Sequence, residues 1–154
     1  MTTTEAPLAA WNVSTTGFPD RGDAAEKLTF LLRYAVLAPS GHNTQPWLFS
    51  VDGDTAELYA DRTQALAVVD PGDRALTISC GAALFNLRVA LRRFGYRDDT
   101  YELVPDPHDT DLLARIRLVQ GEPPSPDAEA LFEAIPKRST TRAAYEERDV
   151  PIEL

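Results

Sequence analysis

One stretch constrains the fold of this chain more than any other: "DPGDRALTISCGAALFNLRVALRRFGY", residues 70 to 96. Leu76, Cys80, Ala83, Leu84, Leu87, Leu91 and Phe94 recur at three- and four-residue spacing, the period of one helix face. Ala82, Val89 and Ala90 fill much of the remaining circumference. A helix that is apolar on most sides must be surrounded by other elements, so this one is expected at the centre of the molecule. Asp70 or Asp73 is placed to cap its start, and Gly95 to stop it.

The remaining elements arrange themselves around that helix. "DAAEKLTFLLRYAVLA", Asp23 to Ala38, predicts a first helix, with Asp23 and Glu26 spaced as a capping box and Leu28, Leu31, Leu32, Ala35 and Val36 on one face. "PWLFSVDGDTAELYAD" predicts a hairpin, with strands near 47–51 and 55–60 around Asp52-Gly53-Asp54. Strand-like stretches follow at 100–105 and 112–120. Residues 121–128 have the proline-rich composition of a linker, after which "DAEALFEAI" opens a short helix. Residues 1–22, polar and punctuated by proline and glycine, are expected to pack as an irregular arm, with Trp11 and Phe18 as candidate anchors. The order of elements predicts an α+β fold, with an antiparallel-rich sheet packed on a long central helix.

Composition then narrows the function. The chain has 154 residues, enough for one ordinary domain with its own core, and 44% of them are hydrophobic. A net charge of −9 disfavours nucleic acid as a partner, since phosphate-rich polymers are repelled by such a surface. Cys80 is the single cysteine, so no internal disulfide forms, and a reducing cytoplasm is expected. The opening "MTTTEAPLAAW" lacks the basic and apolar regions of a secretory leader, and no run of about 18 apolar residues suggests a membrane span.

Two segments carry candidate chemistry. In "APSGHNTQPW", residues 38–47, Ser40, Asn43, Thr44 and Gln45 can each donate and accept hydrogen bonds, and Gly41 permits close approach to the backbone. Such a set suits a flat polar heterocycle; the alternative is a turn that caps a helix end and carries Trp47 into the core. His42 has no second histidine or carboxylate at ligand spacing, so it reads as a hydrogen-bonding residue and no metal site is proposed. In "PKRSTTR", residues 136–142, Lys137, Arg138 and Arg142 flank the three hydroxyl residues Ser139, Thr140 and Thr141. Arginine and hydroxyl donors together satisfy the oxygens of a phosphate monoester; the alternative is a solvated basic turn favoured by a helix C-terminal dipole. Cys80 lies on the apolar stripe and reads as a small buried hydrophobe, while Asn86 could bond a ligand or a neighbouring backbone. No GxGxxG, Walker, CxxC or GxSxG signature occurs, and no catalytic residue is assigned.

Taken together, these stretches resemble the nitroreductase superfamily. "APSGHNTQPWLF" resembles its flavin-contacting loop, and the 70–96 stretch its long central helix at the dimer core. The closest likeness is the Acg-like family of FMN-binding nitroreductase relatives, in which two nitroreductase-like halves are fused in one chain. In that family the second half opens with a basic segment resembling "IPKRSTTRAAYEERDVP". The resemblance covers roughly residues 23–151. It implies a nitroreductase-like half at 23–120 and the start of a truncated second half at 129–154. It also implies FMN, with NAD(P)H as reductant and nitroaromatic or quinone-type acceptors. Ser40, Gly41, His42, Asn43 and Gln45 would meet the isoalloxazine and ribityl portions; Lys137, Arg138, Ser139, Thr141 and Arg142 would hold the phosphate. No basic Arg-Arg-Ser segment precedes the first helix, a departure that the Acg-like family shares. The expected assembly is a homodimer or a complex with a second nitroreductase-like half. A flavin-storing or regulatory FMN-binding protein without turnover, and a non-functional fragment, are the alternative functional readings.

Overall fold

The computed structural model describes residues 13–101, 110–141 and 143–144, which places Trp11 and Arg142 outside the described residues. Helix α1 spans Ala24–Ala35. Its start is the anticipated capping box: Asp23 accepts the Glu26 N–H at 2.9 Å, and Glu26 accepts the Asp23 N–H at 3.0 Å. The helix stops three residues earlier than expected, because residues 36–38 close as turns onto Leu32, Tyr34 and Ala35 carbonyls. A hairpin follows, β1 (Trp47–Asp52) and β2 (Thr55–Ala60), joined by a two-residue turn. Gly53 takes φ 56° there, a left-handed conformation that costs glycine little.

Helix α2 spans Arg74–Arg93. Of the two expected caps, only Asp70 bonds the start of the helix through its side chain. Asp73 occupies the N-cap position, while the Asp70 carboxylate accepts the Leu76 N–H at 2.9 Å. Gly95, at φ 78°, ends the helix and turns the chain directly into β3 (Tyr96–Tyr101). This strand begins four residues earlier than the 100–105 expected from sequence, and residues 102–109 lie outside the described residues. "YRDDTY" lacks an apolar alternation, so its strand state comes from pairing with β4 (Leu112–Gln120). An Asp99–Arg117 ion pair reinforces that ladder.

The sheet order is β1-β2-β4-β3, antiparallel throughout. Ala56, Leu58 and Ala60 of β2 alternate inward with Leu112, Ala114 and Ile116 of β4. The helices cover this face, and Leu31, Cys80, Ala83, Leu87 and Leu91 are fully buried against it. On the other face Glu57 bonds both Arg115 and the Tyr59 hydroxyl. By length and composition α2 could cross a membrane, yet 56% of its most apolar window is buried within the fold. Helix α3 spans Pro126–Ala134 and begins inside the stretch expected as a linker, because Ser125 caps it and Pro126 fits its first turn. It packs on the same core: Phe132 is buried, with its ring 4.6 Å from that of Tyr34. Phe18 also anchors there, stacked 4.2 Å from Phe94.

Candidate functional site

The loop that follows α1 stands out for its backbone. Gly41–Asn43 form a single 3-10 turn, with Asn43 N–H donating to Ser40 O and Thr44 N–H to Gly41 O. Ser40 Oγ then accepts the Gln45 N–H at 2.9 Å, so its lone pair braces the loop and its proton remains available to a ligand. His42, Asn43 and Gln45 all take positive φ, at 50°, 57° and 49°. Each is an L-residue in the left-handed region, at a cost of about 1 kcal/mol each. Such outliers persist only where surrounding contacts hold them. Gly41, His42, Asn43 and Gln45 are exposed and Ser40 half-buried, while Pro46 and Trp47 are buried. The row of polar residues thus stands outward on a backbone fixed at its base. Beside it, a concavity of about 260 Å3 separates Pro39 and Gly41 from Ala75, Ile78 and Ala82 of α2. Roomier hollows of about 530 and 550 Å3 lie elsewhere, around Arg97 and along α1, and neither touches the loop.

The basic segment is brought to the base of this loop. Lys137 and Arg138 N–H groups both donate to Ala134 O, closing α3. Lys137 is exposed and pairs with Glu133 one helical turn back. Arg138 is half-buried; its guanidinium donates to Thr140 Oγ1 at 3.1 Å and lies 3.5 Å from Leu37 O. Leu37 stands three residues before Ser40, so residues 101 apart in sequence meet at the end of α1. That carbonyl belongs to a helix C-terminus, where a cation is favoured. Ser139 and Thr141 are exposed beside Arg138.

Two residues of α2 that carried no site assignment from sequence also reach the loop. Ser79 Oγ accepts the Gly41 N–H at 3.4 Å, and the Cys80 thiol donates to Pro46 O at 3.0 Å. Cys80 is the buried small residue that its place on the stripe implied, and burial pushes its thiol up to about 11. Asn86 resolves toward the backbone, its Nδ2 donating to Tyr34 O at 3.3 Å. The only sequence signal for Ser79 was a hydroxyl interrupting an otherwise apolar helix face.

No family model matches the sequence. Curated relatives do. A Mycobacterium tuberculosis protein provisionally named NAD(P)H nitroreductase Rv3131 is 41% identical over 136 residues, covering 88% of this chain and 38% of that protein. The M. tuberculosis protein provisionally named NAD(P)H nitroreductase acg is 30% identical over 129 residues, covering 84% of this chain and 39% of its own length. A shorter match, 37% over 67 residues, links 42% of this chain to 19% of a Serratia protein provisionally named NAD(P)H nitroreductase PigM. The chain therefore spans about two fifths of the length of the mycobacterial relatives that it matches. With the helix–loop–hairpin order, the central helix and this identity over most of its length, the chain belongs to the Acg-like family of nitroreductase relatives.

Proposed function

We propose that this protein is an FMN-binding, nitroreductase-like oxidoreductase that uses NAD(P)H to reduce nitroaromatic or quinone-type acceptors. One observation carries the reading. The outward row of hydrogen-bonding residues at 40–45 and the cationic, hydroxyl-rich segment at 137–141 converge at the end of α1, through Arg138 and Leu37. A flavin mononucleotide needs both kinds of partner, a polar set for its ring edge and charge-assisted donors for its phosphate. On this reading Ser40, Gly41, His42, Asn43 and Gln45 would hold the ring and ribityl portions. Lys137, Arg138, Ser139, Thr141 and Arg142 would hold the phosphate. Two-electron transfer between nicotinamide and acceptor is the chemistry that FMN supplies when bound. The chain's share is binding, orientation and local polarity, in keeping with an assignment of no side chain as acid, base or nucleophile.

The same reading includes assembly, as a homodimer or with a second nitroreductase-like half. Residues 23–120 would form one half and 129–154 the opening of another. Ile78 and Phe85 support this, being 63% and 53% exposed on a helix whose other faces are buried. Cytoplasmic residence also belongs to the reading, supported by Cys80 as a buried free thiol.

The test is anaerobic titration of the purified protein, mixed with FMN, with NADPH or NADH while the flavin band near 450 nm is followed. Bleaching followed by recovery on adding a quinone is the expected outcome. A bound flavin that neither nicotinamide bleaches would assign storage in place of turnover, and failure to bind FMN at all would refute the reading.

A further inference from the structure

The 40–46 loop is fastened to α2 at both ends, and by adjacent residues. At the entry, Ser79 Oγ accepts the Gly41 N–H at 3.4 Å while donating its own proton to Ala75 O at 2.7 Å. At the exit, the Cys80 thiol donates to Pro46 O at 3.0 Å, and the same carbonyl accepts the Asp61 N–H at 3.0 Å. Both side chains are buried, Ser79 at 5% exposure and Cys80 at 0%. Successive helix positions point about 100° apart, which is what lets neighbours on one helix reach two ends of one loop. Across the loop itself, the Ser40–Gln45 bond closes a ring of six residues. Inside that ring His42, Asn43 and Gln45 hold left-handed backbone without any glycine among them. Asparagine and histidine enter this region more readily than most residues and glutamine rarely does, so three such positions in one short loop need the internal Ser40 bonds and the contacts at the loop's ends to hold them.

We propose that Ser79 and Cys80 are positioning residues. Their side chains clamp the two ends of the 40–46 loop to the central helix and thereby hold His42, Asn43 and Gln45 in the ligand-facing conformation. The proposal rests on the flavin reading only in what the loop is positioned for. The clamp itself is a property of the chain. A thiol that stays protonated at neutral pH suits the task, because only the protonated form donates to Pro46 O.

The test separates these two levels. Ser79→Ala, Cys80→Ala and the conservative Cys80→Ser are compared with Val89→Ala, a buried truncation on the same helix away from the loop. Amide hydrogen exchange at Gly41, Asn43 and Gln45 is read without FMN, and FMN affinity is read separately by quenching of flavin fluorescence. Ser79→Ala and Cys80→Ala should each speed exchange at Asn43 and Gln45 at least tenfold and weaken FMN binding about tenfold. Cys80→Ser should restore both, because a hydroxyl can donate to the same carbonyl. Val89→Ala should leave both unchanged at a comparable loss of melting temperature. Loop exchange unaltered in both alanine variants, or altered equally by Val89→Ala, overturns the clamp. Faster exchange with unchanged FMN affinity overturns its positioning role. If the unaltered protein binds no FMN, the flavin reading fails and the exchange data alone decide the clamp.

Discussion

Arg138 shows how one side chain can join two segments that sequence leaves far apart. Its guanidinium lies at the end of α1 beside the polar loop, where a phosphate would draw on the same charge. Replacing Arg138 and Arg142 together with alanine should weaken FMN binding, each lost charge-assisted contact costing about 1.5 to 3 kcal/mol, or roughly 10- to 150-fold. Equilibrium titration of the double variant decides this; parental affinity would put the phosphate elsewhere. Tyr34 offers a test of the core that is independent of any ligand. Its ring is buried among Phe30, Phe94 and Phe132, and its hydroxyl has no hydrogen-bond partner among the described residues. Burial accordingly raises the phenol above its ordinary pKa. A buried hydroxyl without a partner is destabilising, so Tyr34→Phe should raise unfolding stability by about 1 kcal/mol, measurable by urea denaturation.

Among the elements, α2 contributes the largest share of the core. Leu87 is fully buried in the hydrophobic core, and a carboxylate there would be desolvated among apolar side chains. Leu87→Asp should abolish soluble folded protein, and a soluble variant with unchanged melting would mean that this face of α2 is not enclosed. The approach to α2 and the sheet also predict a pH response. The Asp70 carboxylate accepts the Leu76 N–H at 2.9 Å, and this bond, with the neighbouring first-turn N–H groups of α2, holds its pKa below the ordinary aspartate value. Glu57 is lowered by its bonds to Arg115 and Tyr59. Groups depressed in the folded state stabilise it above their unfolded pKa, and that stabilisation is lost as pH falls through the folded values. Melting temperature should therefore hold steady from pH 7 to about 5 and fall below about 4. Asp70→Asn and Glu57→Gln should each flatten part of that fall.

For the whole molecule, the unresolved balance is between burial and exposure along α2. Ile78 and Phe85 lie four and three residues from the half-buried Ala82, and together they leave an apolar strip open beside the loop. Soluble monomers rarely leave such strips uncovered when they are contiguous, and pairing of two copies about a twofold axis would cover this one with itself. Light scattering should report a particle of about twice 16.9 kDa for the protein alone. An Ile78→Asp, Phe85→Asp variant should scatter as a monomer. A monodisperse monomer for the unaltered protein at all concentrations would remove the homodimer from the proposal.

Local sequence was sufficient where the determining interaction is itself local. The capping box at Asp23 and Glu26, the two-residue hairpin turn at Gly53 and the Gly95 stop are made within a few residues, so their spacing declares them. The apolar periodicity of α2 likewise placed it at the centre before any neighbour was known, because burial is dictated by which faces are apolar. Likeness to nitroreductase loops was legible for the same reason, residing in a continuous run from Ala38 to Phe49. Pairing partners were not legible. Tyr96–Tyr101 becomes a strand only because β4 supplies a ladder and Arg117 a counter-charge, neither of which "YRDDTY" announces. The left-handed backbone at His42, Asn43 and Gln45 and the reach of Ser79 and Cys80 to its ends were equally hidden. So was the meeting of Arg138 with Leu37. Each depends on how strands pair and helices pack in three dimensions, and a contact between residues far apart in sequence leaves no period in a single chain.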